Sequence, residues 1–257
     1  RAKDVHGDTY EYISQYINAH TPLEIRCKHH GVFTQRPYSH LGGQGCPSCK
    51  TIISKPHQAL LDLLVDTLGD SNVIPNDRKI LDNLELDILL PEHNLAIEVD
   101  GLFWHTTQFL PDKKYHQNKQ DSSSAAGIEL LQFWDVEVLN KLPIVESMIR
   151  HRLGITESRV YARKCRVEEL STSEYKSFLT DNHIQGALDS SMRFGLYHGD
   201  ELVSVLGATY RRGKLTIDRF ASRIYTSVVG AFGRLFSQLP HVDVYTHSAN
   251  RYSTGDC

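Results

Sequence analysis

A chain of 257 residues with 40% hydrophobic content has room for two domains, or for one domain with satellites, and has the composition of ordinary globular protein. No apolar run approaches the ~18 residues of a membrane span and no signal peptide is recognised, so a soluble protein without a membrane partner is expected. The net charge of −3 argues at first against nucleic acid, but it is unevenly spread. Residues 1–50 carry six basic and four acidic side chains (+2), residues 51–149 seven and sixteen (−9), and residues 150–257 fifteen and eleven (+4). A central acid excess between mildly basic flanks suits a core that gathers metal ligands between modules that hold a phosphate backbone.

Residues 1–52 read as a small metal-binding module. Cys27-x-x-His30 is followed, after fifteen residues, by Cys46-x-x-Cys49. Two such pairs on tight turns can close a tetrahedron of three thiolates and one imidazole, and four protein ligands make a structural Zn²⁺ site rather than a catalytic one. His29 competes with His30 as the fourth ligand, and Gly31 and Gly45 suit the turns. The run C-x-x-H-G-x-F with H-L-x-G-x-G-C-P-x-C resembles small zinc-ribbon modules that accompany phage nucleases, which favours His30. Tyr10, Tyr12 and Tyr16 precede an expected strand at Leu23-Glu24-Ile25, and Phe33–Tyr38 reads as a basic-aromatic turn. Arg36 in that turn is a candidate DNA contact. The tyrosines are better placed to cover a metal site too small for its own core. Four of five cysteines lie in the metal pattern, Cys165 and Cys257 have no partners, and no disulfide is called for, as in a reducing cytosol.

A helix is expected at about 56–68, with Leu60, Leu61, Leu64 and Leu68 at helical spacing. Two short aliphatic runs follow, Leu84–Leu90 and Leu95–Val99, joined by Pro-Glu-His-Asn as a hairpin. Acids interrupt them. Side chains alternate along a strand, so Glu98 and Asp100 share one face while Ile97 and Val99 pack on the other. Asp87 on the adjacent strand would complete an oxygen site suited to Mg²⁺, which takes one or two carboxylates with waters and substrate phosphates. The implied substrate is a phosphodiester.

Downstream come Gly101-Leu102-Phe103-Trp104-His105, then Tyr115-His116 and Lys119, then the apolar strand Gly127–Phe133 and an amphipathic helix at Val138–Leu153. The order from Ser54 to Leu153 resembles the very-short-patch-repair type of nuclease in the PD-(D/E)xK superfamily, and more closely the phage-encoded homing endonucleases of the EDxHD group. The resemblance implies an α-β-β-α-β-α core in residues 53–155 and a catalytic Mg²⁺. It puts Asp87 and Glu98 at the metal-binding acids, Asp100 where repair-type relatives place a histidine, and His105 at an active-site histidine that acts as general acid or base. His116, Lys119 and Asp121 would complete the site, with Lys119 stabilising phosphorane charge. One departure stands out: Gln58 lies where relatives usually carry a glutamate, and a neutral amide cannot supply that charge.

Residues 156–257 read as a separate α+β module. Tyr161–Arg166 is basic, Thr172–Asn182 is an expected helix with a Ser/Thr cap, and strands are expected at Phe194–His198, Glu201–Tyr210, Leu215–Phe220 and Val242–Thr246 with a helix near Val229–Leu239. The order is loosely similar to an acyltransferase-like sheet. Arg163, Lys164, Arg211, Arg212 and Lys214, with Arg219 and Arg223, are candidate DNA contacts. His183 reads as a helix-end cap, or as a base if the module has chemistry of its own. Val228–Arg234 is too sparse in glycine for a pyrophosphate loop.

The expectation is therefore an α/β (α+β) chain that cleaves double-stranded DNA at specific sites with Mg²⁺, in the cytoplasm of a bacterial host and encoded by a phage. Two alternatives are an inactive sequence-specific DNA-binding protein and a DNA-modifying enzyme acting through the carboxy-terminal module.

Overall fold

The computed structural model describes residues 1–28, 31–47, 54–81, 84–101, 115–247 and 251–252, with Tyr115 and His116 by backbone alone. The class is mixed α+β, and the chain divides into two compact units, Arg1–Ser54 and Lys55–Cys257.

The first unit comprises α1 (Ala2–His6), β1 (Tyr10–Tyr12), β2 (Leu23–Cys27), β3 (Gly31–Gln35) and α2 (Pro37–Leu41). The strands form an antiparallel sheet in the order β1-β2-β3, with Tyr10 opposite Cys27 and Cys27 opposite Gly31. Alternation along β2 turns Leu23, Ile25 and Cys27 inward, where they meet Tyr10 and Cys46. The basic-aromatic stretch expected as one turn is instead the end of a strand and the start of a helix. Phe33 packs against the small core, and Pro37 opens α2, where its fixed φ and missing N–H cost nothing.

The second unit continues with α3 (Lys55–Leu68), β4 (Ile74–Leu81), β5 (Leu84–Leu90), β6 (Leu95–Asp100), α4 (Tyr115–Ala125), β7 (Glu129–Trp134) and α5 (Asp135–Arg152). The sheet order is β4-β5-β6-β7, antiparallel except for β6 and β7, which run parallel across the α4 connection. The expected hairpin is β5–β6. Its turn is a short 3₁₀ segment, Pro91–His93, closed by Asn94 in the left-handed region. The expected order lacked β4, so the observed succession is α-β-β-β-α-β-α.

One face of this sheet is oily. Ile88, Leu90, Leu95, Ile97, Leu131 and Phe133 pack with Leu60 and Leu64 of α3 and with Val138, Val145 and Ile149 of α5. The opposite face holds Leu89, Ala96 and Leu130, part of a smaller cluster, and beyond them the polar side chains described below. Helix α5 is kinked at Lys141, two residues before Pro143, as expected when proline removes a helical hydrogen bond.

The remaining elements are β8 (Ser158–Tyr161), β9 (Arg166–Glu169), α6 (Thr172–Asn182), β10 (Met192–His198), β11 (Glu201–Arg211), β12 (Lys214–Ser222), β13 (Thr226–Val229), α7 (Ala231–Phe236) and β14 (Val244–Thr246). Five of them form a sheet in the order β14-β12-β11-β10-β9, and β13 pairs with β8 in parallel. The Ser171 hydroxyl caps α6 by accepting the Glu174 N–H at 3.2 Å. Three strands, β8, β9 and β13, were not anticipated. Each is four residues long, too short for a periodicity to register.

Residues on either side of position 155 interlock. Tyr225 N–H donates to the Ser147 hydroxyl and its own hydroxyl to Glu146, Lys141 donates to the Ile184 carbonyl, and Arg251 and Tyr252 both bond Glu137. Among the described residues no helix is long and apolar enough to cross a membrane.

Candidate active site at the end of the central hairpin

Ladder pairing between β5 and β6 runs from Leu90 opposite Leu95 to Ile88 opposite Ile97. The next pair in that register is Asp87 and Glu98, and there side chains take over from backbone. Asp87 N–H donates to Glu98 Oε1 at 3.0 Å, and Val99 N–H donates to Asp87 Oδ2 at 2.9 Å. The two carboxylates thus brace the end of the hairpin on the face opposite Ile97 and Val99.

Above them lies α4, a polar helix whose buried side chains among the described residues are Lys119 and, one turn later, Ser123. The Lys119 ammonium ion-pairs with Glu98. Burial first, and the neighbouring Asp87 charge second, push the Glu98 carboxyl up to about 8, against the downward pull of Lys119. A cation between the acids would relieve that repulsion. Each carboxylate has about four lone-pair positions, so acceptor capacity remains on both after their backbone bonds. The donor set therefore fits a hard, oxygen-seeking ion. Among the described residues no three His, Cys, Asp or Glu side chains come together as a group that could hold a metal ion.

Of the other expected site residues, Asp100 is buried two positions along the same face. His105 lies outside the described residues, as does the side chain of His116, whose backbone position is three residues before Lys119 on α4. Asp121 does not join the acids. It is exposed and accepts a hydrogen bond from Gln117, one turn back on the outer side of α4. Gln58 is likewise exposed and donates to Asp62, whereas α3 turns Pro56, His57, Leu60 and Leu64 inward.

Two buried polar residues on β7 and α4 escaped the sequence reading. Gln132 on β7 is paired in parallel register with Glu98, so both point from the same sheet face. It is 4% exposed, and its Nε2 has no hydrogen-bond partner among the described residues. The Ser123 hydroxyl is in the same state. An unmet buried donor costs about 1–3 kcal/mol. The signal for Gln132 was one amide inside the otherwise apolar run Leu130–Phe133.

In the first unit, Cys27 and Cys46 are both 1% exposed and share one cluster, while His30 and Cys49 lie outside the described residues. Tyr10 accepts the Cys46 N–H at 2.9 Å through its hydroxyl, and a Cβ on Gly45 would run into that hydroxyl. His40 is buried too, stacked 4.1 Å from His6, with its Nδ1 between Gln35 and the Gln44 carbonyl and its Nε2 toward the Tyr12 hydroxyl. Burial and the His6 charge lower its pKa. Tyr10 and Tyr12 thus build the interior, while Tyr16 is exposed.

The expected basic strip in residues 156–257 is broken up. Arg211 pairs with Asp218 at 2.9 Å, Arg223 pairs with Glu201, and Arg219 is partly buried and bonded to the Asp218 carbonyl. Strand alternation and nearby acids consume these charges. Arg212 and Lys214 remain exposed at the β11–β12 turn, where Arg212 and Gly213 both have positive φ and Lys214 lies over the Tyr245 ring. Arg163 and Lys164 are exposed in a 3₁₀ turn, and Arg36 is exposed at the start of α2. His183 is the C-cap of α6 and accepts the Gln185 N–H at 3.1 Å. It borders a cavity of about 790 Å³ that also touches Met148, Phe220, Val228 and Phe232.

Residues 1–50 match a family described as a protein of unknown function (DUF723). Over 51 residues the chain is 43% identical to an uncharacterized protein of Acanthamoeba polyphaga mimivirus, a match covering 19% of this chain and 18% of that relative. No solved structure matches the chain.

Proposed function

We propose that the chain is a site-specific, Mg²⁺-dependent DNA endonuclease similar to the very-short-patch-repair and phage homing nucleases of the PD-(D/E)xK superfamily. Residues 1–52 would act as a zinc-ribbon-like module and residues 156–257 as a further DNA-holding module. The observation that carries this reading is the braced pair Asp87 and Glu98 with Lys119 laid over it on a buried polar face. Asp87 and Glu98 would hold Mg²⁺, with Asp100 two positions along the same strand face. When bound, the ion supplies Lewis acidity to a phosphoryl oxygen and lowers the pKa of water. His105 or His116 would take the proton of the attacking water, and Lys119 would offset negative charge as it builds on the phosphate. Cys27, His30, Cys46 and Cys49 would hold Zn²⁺ in the first unit, closing a core of few side chains. Arg36, Arg163, Lys164, Arg212 and Lys214 would contact the duplex backbone, Arg211 only after release from Asp218.

The test is incubation of the full chain with supercoiled plasmid and random-sequence duplex in Mg²⁺, followed by sequencing of the ends. Discrete cuts, abolished by EDTA and by Asp87→Asn while DNA binding persists, are expected. Cutting by Asp87→Asn at the wild-type rate would remove the acids from the reaction.

The cavity beside His183 favours one second reading, group transfer by the carboxy-terminal module. A nucleotide or acyl carrier that raises the unfolding temperature, with no loss on Asp87→Asn, would support it.

A further inference from the structure

We propose that Gln132 is a substrate-binding residue of this site, donating its amide N–H to a non-bridging oxygen of the scissile phosphate; the inference rests on the nuclease reading above. Gln132 stands beside Glu98 in the β6–β7 register, on the face that carries the acids. Its backbone N–H is occupied by the Arg251 carbonyl at 3.0 Å, but the side-chain Nε2 meets no acceptor among the described residues although the residue is buried. Buried amides are ordinarily paired, and a leucine would extend the apolar run of β7 without leaving an unmet donor.

The charges around it say which acceptor fits. Asp87 and Glu98 repel a phosphodiester, and the Lys119 ammonium is engaged with Glu98. A neutral donor adds an attraction for phosphate oxygen without drawing the carboxylates away from a metal. An amide also donates across the whole pH range of the reaction, which a histidine would not. The register therefore puts a buried, non-titrating hydrogen-bond donor next to the metal-binding acid, as expected of a group that meets the charge developing on a phosphoryl oxygen.

The experiment compares the full-length wild type, Gln132→Leu and Asp87→Asn on one cleavable duplex in Mg²⁺, with single Rp and Sp phosphorothioates at the scissile position. Gln132→Leu should cut about 10²–10³-fold more slowly, bind duplex within a few-fold of wild type, keep the same Mg²⁺ midpoint and fold at least as stably. One phosphorothioate diastereomer, the one that replaces the contacted oxygen, should slow the wild type but not slow Gln132→Leu further. Gln132→Leu cutting at the wild-type rate, or slowed equally on both diastereomers with a shifted Mg²⁺ midpoint, would overturn the phosphate contact while leaving the nuclease reading intact. Wild-type cleavage that does not depend on Asp87 would overturn both.

Discussion

The ammonium of Lys119 rests on the carboxylate of Glu98 with both side chains almost wholly withdrawn from water, 4% and 6% exposed. Breaking such a pair from one side strands a buried charge, at a cost of about 3–5 kcal/mol, whereas replacing both partners by neutral groups is far milder. Lys119→Met should therefore destabilise the second unit by about 3 kcal/mol, softened because Glu98 can keep its proton. Glu98→Gln combined with Lys119→Met should recover most of that loss. Urea unfolding of the four-member cycle measures the coupling, and a value below ~0.5 kcal/mol would show that the two groups are not linked.

The raised Glu98 carboxyl gives the metal site a pH signature. Protons and Mg²⁺ compete for the same group, so the Mg²⁺ midpoint should fall about tenfold per pH unit up to about 8 and level above it. Without metal the sign is set by linkage. The folded state holds this proton more tightly than the unfolded state, so stability present below about 4.5 is lost as pH rises through about 8. Titrations of cleavage and of thermal unfolding at several pH values check both trends, and Glu98→Gln should flatten that of metal-free thermal unfolding.

What could be read from the residues followed the strength of their patterns. The β5–β6 hairpin and its face assignment were legible because aliphatic alternation broken by acids allows one strand reading. Strand β4 was hidden: Ile74–Leu81 carries Pro75, Asn76 at φ 53, and Asp77, whose carboxylate accepts the N–H groups of Lys79 and Ile80 in a bulge. Such residues are tolerated because β4 is an edge strand. The pairing of Lys119 with Glu98 depends on how α4 crosses the sheet, and spacing along the chain does not encode that. Gln132 was passed over because its meaning comes from its neighbour across the β6–β7 register.

Gly45 offers a probe of the first unit that leaves the cysteines untouched. A methyl group there would displace the Tyr10 hydroxyl from the Cys46 N–H, disturbing one end of the Cys46-x-x-Cys49 pair. Gly45→Ala should cost about 1–3 kcal/mol and lower the zinc content of purified protein, measured by a chromogenic chelator after denaturation. Cys46→Ser should remove the zinc. Full zinc occupancy in Cys46→Ser would show that the thiolate is not a ligand.

The carboxy-terminal sheet has an equally tight contact. A Cβ at Gly207 would meet the Tyr175 hydroxyl and ring and the Ser190 hydroxyl, and Tyr175 is fully buried between α6 and β11. Tyr175 cannot withdraw without uncovering Leu179 and Val205, so Gly207→Ala should destabilise by at least about 2 kcal/mol. Denaturant unfolding and exposure of tyrosine fluorescence report it. A neutral effect would mean that α6 shifts freely over the sheet.

His183 supplies a second pH dependence, opposite in sign to that of Glu98. Burial, with Arg219 and Lys141 nearby, pushes its pKa down to about 4 from the usual 6.5. The folded state therefore prefers the neutral ring. Its contribution is fully present above pH 6.5 and is lost as pH falls toward about 4, by on the order of 2 kcal/mol. His183→Gln keeps a polar side chain at the end of α6 but cannot titrate. Subtracting its stability curve from that of the wild type should isolate a rise between pH 4 and 6.5. A flat difference would mean that the imidazole is solvated when charged, and that the cavity beside it admits water freely.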